Sequence, residues 1–340
     1  MTTEYALRKA DDTEWERFVE NRANATVFHT LGWKRAVESA FGYTPRYRLV
    51  TDRDRTVAAV PGFEVPAVFG TTVTTPFGEY GFPLLDDESE PILAALADAI
   101  PPFETLILKE SDWTETTGYS AAGFGGVETG ICLQLGVDRP FEAVWDDSFA
   151  SGARRNVRKA RESGVTVSEA DSIDPYYPLY LRTMRRLGSP PFPAAFFAAL
   201  MEKLTESVTL LCANYDGEVI AGLLAFEYDD RCLIWSNAST PEVWDYKPND
   251  LLYAEIIRRA CEGDASVVDF GRNERGSNVH EFKTQFGGAE TQLTSLVYPP
   301  GRTGVASIDE YKRIAPVARA FAPLVTNRTL GPWLKWWIHE

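Results

Sequence analysis

Apolar residues recur along this chain in two rhythms, and the order of the rhythms predicts an alternation of helices and strands. Residues 11–20 open on Asp and Thr and read as a short helix. In 31–41, Trp33, Val37 and Phe41 fall at helical spacing and predict a second helix. Residues 47–50 and 56–65 read as a hairpin across the charged turn 52–55. A strand over 71–75 is stopped by Pro76 and Gly78, and Pro91 in the first turn predicts a helix over 91–100. Strands over 105–109 and 127–135 follow. The same order then returns: helices over 174–187 and 194–204, strands over 207–215, 218–228 and 231–237, a helix over 250–262, and strands over 266–270 and 290–298, with a loop between the last two.

The return is more than a rhythm. Residues 124–129 read Phe-Gly-Gly-Val-Glu-Thr and residues 286–291 read Phe-Gly-Gly-Ala-Glu-Thr, an offset of 162. That offset also carries Val57-Ala58-Ala59 onto Val219-Ile220-Ala221, and the helix of 92–100 onto 254–262. The chain therefore reads as two copies of one α/β unit. Asp138-Arg139-Pro140 separates strand from helix and sets the boundary: a first domain over 1–140 and a second over 141–300, with a helical tail over 301–340. The tail holds Trp333, Trp336 and Trp337, which suit either docking on a domain or contact with a membrane surface.

The copies differ in their polar residues. The second carries Asp269-Phe270-Gly271-Arg272 and Glu281-Phe282-Lys283. At the same offset the first has Ile107 in place of Asp269 and Ala121 in place of Lys283. The chemistry is therefore expected in the second copy.

Charge narrows the partners. The net charge is −15, and 25 of the 34 basic residues are Arg, leaving 9 Lys. An acid-rich, Lys-poor surface is what a halophilic protein needs in high salt, and an ordinary acidic cytoplasmic protein is the alternative. Such a charge disfavours DNA and anionic membranes as non-specific partners. The four cysteines have no close pair and read as reduced core residues. No signal peptide, transmembrane run or metal-ligand spacing is expected from the sequence.

Several segments carry a family resemblance. Asp269-Phe270-Gly271-Arg272 followed by Glu281-Phe282-Lys283-Thr284-Gln285-Phe286-Gly287-Gly288 resembles the FemABX family, tandem-domain relatives of the GNAT acyltransferases. The basic run 154–160, Thr183-Met184-Arg185-Arg186 and the aromatic segment 28–33 are similar to the same family, so the resemblance spans about residues 15–300. It implies an α/β fold of two tandem GNAT-like domains with mixed sheets, the C-terminal tail packing back on the first. It also implies transfer of an amino acid from aminoacyl-tRNA to an amine of a lipid- or nucleotide-linked envelope precursor, other relatives acylating sugars or small amines. No cofactor is expected to be tightly bound; the acyl donor, aminoacyl-tRNA or acyl-CoA, is a co-substrate.

Acyl transfer to an amine needs a neutral nitrogen nucleophile, a stabiliser for the developing oxyanion, and grips for two substrates. By resemblance Lys283 contacts a substrate phosphate or the reacting carbonyl; a solvated loop lysine is the alternative. Asp269 is a candidate to accept the amine's proton, to orient Arg272, or to cap its own loop. Arg272 suits a phosphate or carboxylate fork, and His280 is a candidate general base. Arg186 would, by resemblance, grip the acceptor's phosphate. Arg154, Arg158 and Lys159, with Arg155 and Arg161, are candidates to dock a tRNA acceptor end, a nucleotide or a CoA phosphate, or to pair with Asp146 and Asp147. Trp235, Asn237 and Tyr253 fall where a GNAT domain splays open, with core packing the alternative. The GNAT pyrophosphate loop has glycines before a helix. Here that helix is entered through Tyr246-Lys247-Pro248-Asn249-Asp250, so Asn249 or Asp250 is left to cap it and Asp250 repels phosphate. The reading is an N-acyltransferase; the alternative is a non-catalytic binder of a nucleotide- or phosphate-bearing ligand.

Overall fold

The computed structural model describes residues 5–67, 70–86, 90–111, 117–301 and 331. The expected tail over 301–340 lies outside them, apart from Gly301 and Gly331. The described residues form two compact units, one of residues 5–130 with 292–301 and one of 131–291. Among the described residues no helix is long and apolar enough to cross a membrane.

The first unit runs β1 (Tyr5–Lys9), α1 (Asp12–Val19), α2 (Leu31–Phe41), β2 (Thr44–Pro45), β3 (Arg48–Asp52), β4 (Arg55–Val60), β5 (Phe63–Val65), β6 (Thr71–Thr74), β7 (Leu84–Leu85), α3 (Glu90–Asp98), β8 (Glu104–Ser111), α4 (Thr117–Ala121) and the start of β9 (Gly125–Gly136). Asp11 caps α1 through Thr13 N and Glu14 N, and Thr30 caps α2 through Trp33 N. The expected strand 56–65 is two strands, not one. Pro61 has no N–H to give a ladder, and β4 and β5 pair with different neighbours on either side of it.

The second unit takes the end of β9, then α5 (Phe141–Asp147), α6 (Ser151–Glu162), β10 (Thr166–Glu169), α7 (Tyr177–Leu187), α8 (Ala194–Lys203), β11 (Val208–Tyr215), β12 (Glu218–Tyr228), β13 (Arg231–Ser239), α9 (Pro248–Glu262), β14 (Val267–Asp269), α10 (Asn278–Thr284) and the start of β15 (Ala289–Tyr298). The offset of 162 holds element by element: β1 falls on β10, α2 on α8, β3 on β11, α3 on α9, β8 on β14, α4 on α10 and β9 on β15. Where the first copy breaks at Pro61-Gly62, β12 keeps going with a register shift after Leu224.

The sheet of the second unit is clothed on both faces, so its strands are apolar almost throughout. On one face Leu211, Ala213, Leu223 and Ala225 pack with Ala153, Val157 and Ala160 of α6 and Leu252, Ile256 and Ile257 of α9. On the other, Gly222 sits under Tyr176: a Cβ there would lie 2.4 Å from the ring. The strand beside β14 and the strand beside β8 each come from the opposite repeat. Residues 134–136 of β9 pair with β14, and residues 293–298 of β15 pair with β8.

The segment between β14 and β15, expected as a loop, contains α10. Ser277 caps it, its Oγ accepting from His280 N at 3.2 Å. The helix is buried through one edge, and Lys283 lies on that edge rather than in a solvated loop.

Candidate active site

β13 and β14 are parallel, but their ladder joins only 231–233 to 267–269. β14 stops at Asp269 while β13 continues to Ser239, so the strands part beyond Leu233 and Asp269. The parting is prepared on β13 by the register shift against β12, in which Trp235 is the extra residue. A bulge adds local twist and re-aims the strand. Trp235 itself fills an aromatic layer with Phe192, Phe196, Phe197 and Phe226, at centroid distances of 5.3–6.0 Å.

One wall of the opening is β14 and α10. Asp269 is 2% exposed. Its Oδ1 accepts from Gly271 N at 2.7 Å and its Oδ2 from Gln134 Nε2 at 3.4 Å. Those donors are what allow a carboxylate to be buried there. Gly271 takes φ +68°, and a Cβ on it would meet the Ile234 carbonyl oxygen at 2.8 Å, so the turn after Asp269 requires glycine. Arg272, next in the chain, has an exposed side chain.

Lys283 is 7% exposed and donates its Nζ hydrogen to the Phe270 carbonyl, one residue from Asp269. Phe282 and Phe286, on either side of Lys283, pack with Tyr253 of α9 at 5.0 and 5.2 Å, and Tyr253 also meets Phe270 at 5.9 Å. Tyr253 is thus the buried link that seats α10 on α9, and burial holds its hydroxyl well above the usual phenol range. Gly287 and Gly288 follow at φ +91° and +99°. Added Cβ atoms would meet Ser148 at 2.9 Å and the Gln134 carbonyl at 3.1 Å. The Gly-Gly turn brings the chain round so that α10 closes over Phe270.

His280 Nδ1 accepts from Gly276 N at 3.1 Å, and Nε2 lies 3.0 Å from Glu290 Oε1 but out of line for a hydrogen bond. Glu290 accepts from Arg275 Nε at 3.0 Å. His280, Glu290 and Arg275 together tie the start of α10 to β15. Neither glutamate nor Arg275 stands out in the sequence, because their partnership depends on the fold.

The other wall is β13 with α7 and the start of α9. Asn249 donates to Ser239 Oγ at 2.8 Å, and the same hydroxyl accepts from Trp244 Nε1 at 3.0 Å. Asn237 reaches both Gly222 O at 2.9 Å and Asn249 Oδ1 at 3.4 Å. Thr183 donates to Ser239 O at 3.1 Å, and the Arg186 guanidinium lies 5.2 Å from the centre of the half-open Trp244 ring. Arg186 and Asn249 thus meet around Ser239 and Trp244, two residues that no motif or spacing singles out.

The helix start that GNAT enzymes keep open for pyrophosphate is closed. Lys247 takes φ +58°, Pro248 has no N–H, and Asp250 is buried there. Asn156 of α6 donates to Asp250 Oδ1 at 3.0 Å. Burial pushes the Asp250 carboxyl above the usual range, opposed by Asn156, by the Lys247 charge and by the residue's own N–H. The basic helix is divided in role. Arg154 donates to the carbonyls of Trp145 and Asp146 at 3.0 and 2.7 Å, satisfying the end of α5, and Arg158 lies 5.8 Å from the centre of the Trp145 ring. Asp147 pairs instead with Arg139 at 2.8 Å, and Lys159 is exposed.

A mixed sheet whose central parallel strands part beside a helix N-terminus is the ground plan of the GNAT acyltransferases, and the second unit has it. Residues 147–284 match the family described as Acetyltransferase (GNAT) domain. Over 91% of this chain and 100% of theirs, the coordinates of FemX superpose with a TM-score of 0.68 at 15% identity. The C-terminal domain assigned to a lysylphosphatidylglycerol synthetase of Agrobacterium fabrum gives 0.58 at 11%, covering 94% and 98%. A tandem GNAT protein from the clavulanic acid biosynthesis pathway gives 0.53 at 12%, covering 89% and 100%. No curated protein matches the chain in sequence. Residues 147–284 thus match a GNAT acetyltransferase domain, and the chain as a whole shares its fold with FemX.

Proposed function

We propose that the second unit transfers an acyl group to an amine in the opening between β13 and β14, and that the donor is an aminoacyl ester such as aminoacyl-tRNA rather than acyl-CoA. The observation that carries the choice of donor is Asp250. A carboxylate buried within the first turn of α9, behind a proline, occupies the place where a CoA pyrophosphate would take backbone N–H groups. The FemX likeness agrees with that choice in fold.

In this reading the amine nitrogen attacks the ester carbonyl, a C–N bond forms and the C–O bond to the ribose breaks. The amine's proton passes to the departing ribose oxygen, directly or through water. Lys283, held by the Phe270 carbonyl at the turn after β14, stabilises the oxyanion, leaving that carbonyl to do so. Asp269 holds the Gly271 turn in place through its short bond to Gly271 N. Arg186, stacked on Trp244, grips the acceptor's phosphate or carboxylate. Arg272 and Lys159, both exposed, are the cations offered to the donor's polyanion.

The test is transfer of a labelled amino acid from charged tRNA to a panel of primary amines, run beside thiol release from acetyl-CoA in the same high-salt buffer. Transfer from tRNA alone is expected. Saturable thiol release at micromolar acetyl-CoA would overturn the choice of donor. Failure of both donors with every amine, together with binding of a nucleotide ligand, would favour a non-catalytic binder.

A further inference from the structure

The first copy has lost the Asp269–Lys283 pair, but it carries a polar set of its own. A cleft of about 340 Å³ in the first unit is lined by Arg8, Lys9, Thr44, Arg46, Arg48 and Pro101 among others. In the antiparallel ladder of β1 and β3, Lys9 stands directly opposite Arg48. Like charges so placed repel unless an anion lies between them. Arg46, two residues before Arg48, lines the same cleft.

The carboxylates around the cleft do not balance it. Arg48 gives Nη2 to Glu104 at 2.8 Å, while its buried Nη1 has no acceptor among the described residues. Arg46 and Arg8 pair with Glu64 and Glu14, but the arginine side chains are 44% and 40% exposed, where water screens such pairs and an entering anion can replace them. Among the described residues Lys9 makes no ion pair. The fold does not need these charges. At the offset of 162, Lys9, Arg46, Arg48 and Glu104 become Asp171, Val208, Leu210 and Ser266, and the second unit builds the same strands without them.

We propose that this cleft binds a phosphate group, with Lys9, Arg46 and Arg48 as its cations and the Thr44 hydroxyl as a neutral donor. Two guanidinium forks and one ammonium suit a doubly charged, many-oxygened anion better than a single carboxylate. The phosphate comes from a soluble ester or from a lipid headgroup. Phe103, 72% exposed and two residues beyond Pro101, is placed to enter an acyl layer in the second case.

The experiment is titration calorimetry with inorganic pyrophosphate, beside co-sedimentation with phosphatidylcholine vesicles with and without phosphatidylglycerol. Wild-type protein is expected to bind at least one of the two, less tightly as salt rises. Lys9→Ala and Arg46→Ala, both at exposed positions, should each weaken binding by about tenfold or more. Lys203→Ala, on the second unit, should leave it unchanged. Pyrophosphate binding alone identifies a soluble ester, and vesicle binding lost with Phe103→Ala identifies a lipid headgroup. Binding of neither ligand, or binding indifferent to Lys9→Ala and Arg46→Ala, or equally weakened by Lys203→Ala, would overturn the proposal.

Discussion

Replacing Lys283 by Met separates the chemistry of this residue from its packing. Met keeps an unbranched chain of similar length in the same groove and removes the charge. Two stability effects then oppose each other. The charged hydrogen bond to the Phe270 carbonyl is lost, about 1.5–3 kcal/mol. Against that, an ammonium 7% exposed no longer has to be desolvated, a saving of several kcal/mol. The urea midpoint of Lys283→Met should therefore be unchanged or raised. Its activity should fall about 10²–10³-fold, ~2.7–4 kcal/mol, as for removal of one oxyanion donor. The assay pairs urea denaturation with kcat/KM for amine acylation. A variant that unfolds at lower urea while turning over within twofold of wild type would refute the reasoning, because Lys283 would then be a structural cation only.

Three further predictions follow from the same structure. Gly126 and Gly288 occupy equivalent repeat positions, yet Gly288 has φ +99° and Gly126 lies in a strand with 3.6 Å to its nearest would-be neighbour. Gly288→Ala should destabilise by ~1–3 kcal/mol and Gly126→Ala by less than about 0.5 kcal/mol, read as urea midpoints; equal effects would contradict the assigned backbones. Asp250 is raised by burial, so its ionised form is penalised in the native state as pH rises through the native value. Asp250→Asn should be more stable than wild type at pH 7, with the gain vanishing below pH ~4, and a gain that grows toward acid would contradict it. His29 is fully buried, its pKa lowered to about 4 by desolvation, opposed by its bonds to Phe82 O and Thr26 N. Its contribution is complete above the unfolded value of ~6.5 and should shrink by about 3 kcal/mol as pH falls to 4; His29→Gln should flatten that part of the stability profile.

The fold was legible because the repeat supplied two readings of each element. Leu31–Phe41 ended where its apolar spacing ended, and the offset placed α8 beneath it. Elements without a rhythm escaped. β1 and β10, of five and four residues, are too short to establish alternation. Asn278–Thr284 shows no apolar stripe, and only its Ser277 cap distinguishes it from a loop. The site was half legible. Asp269 and Lys283 emerged from comparing the copies, but that both are buried is a tertiary fact. Arg154 reads as a free cation in sequence, yet its position next to the end of α5 turns it toward carbonyls. Ser239 and Trp244 become partners only through the path of β13.

The crossed strands bear on ancestry and on dissection. A protein cut at residue 140 would yield an N-terminal fragment lacking β15 beside β8, and a C-terminal fragment lacking β9 beside β14. Each fragment would end its sheet on an unpaired edge, the template on which chains aggregate. Two copies of an ancestral single-repeat protein, each lending its last strand to its twin, would have met the same requirement by dimerising. Within one chain each repeat carries the strand its twin needs, so the two can differ in sequence but cannot be cut apart without exposing an edge.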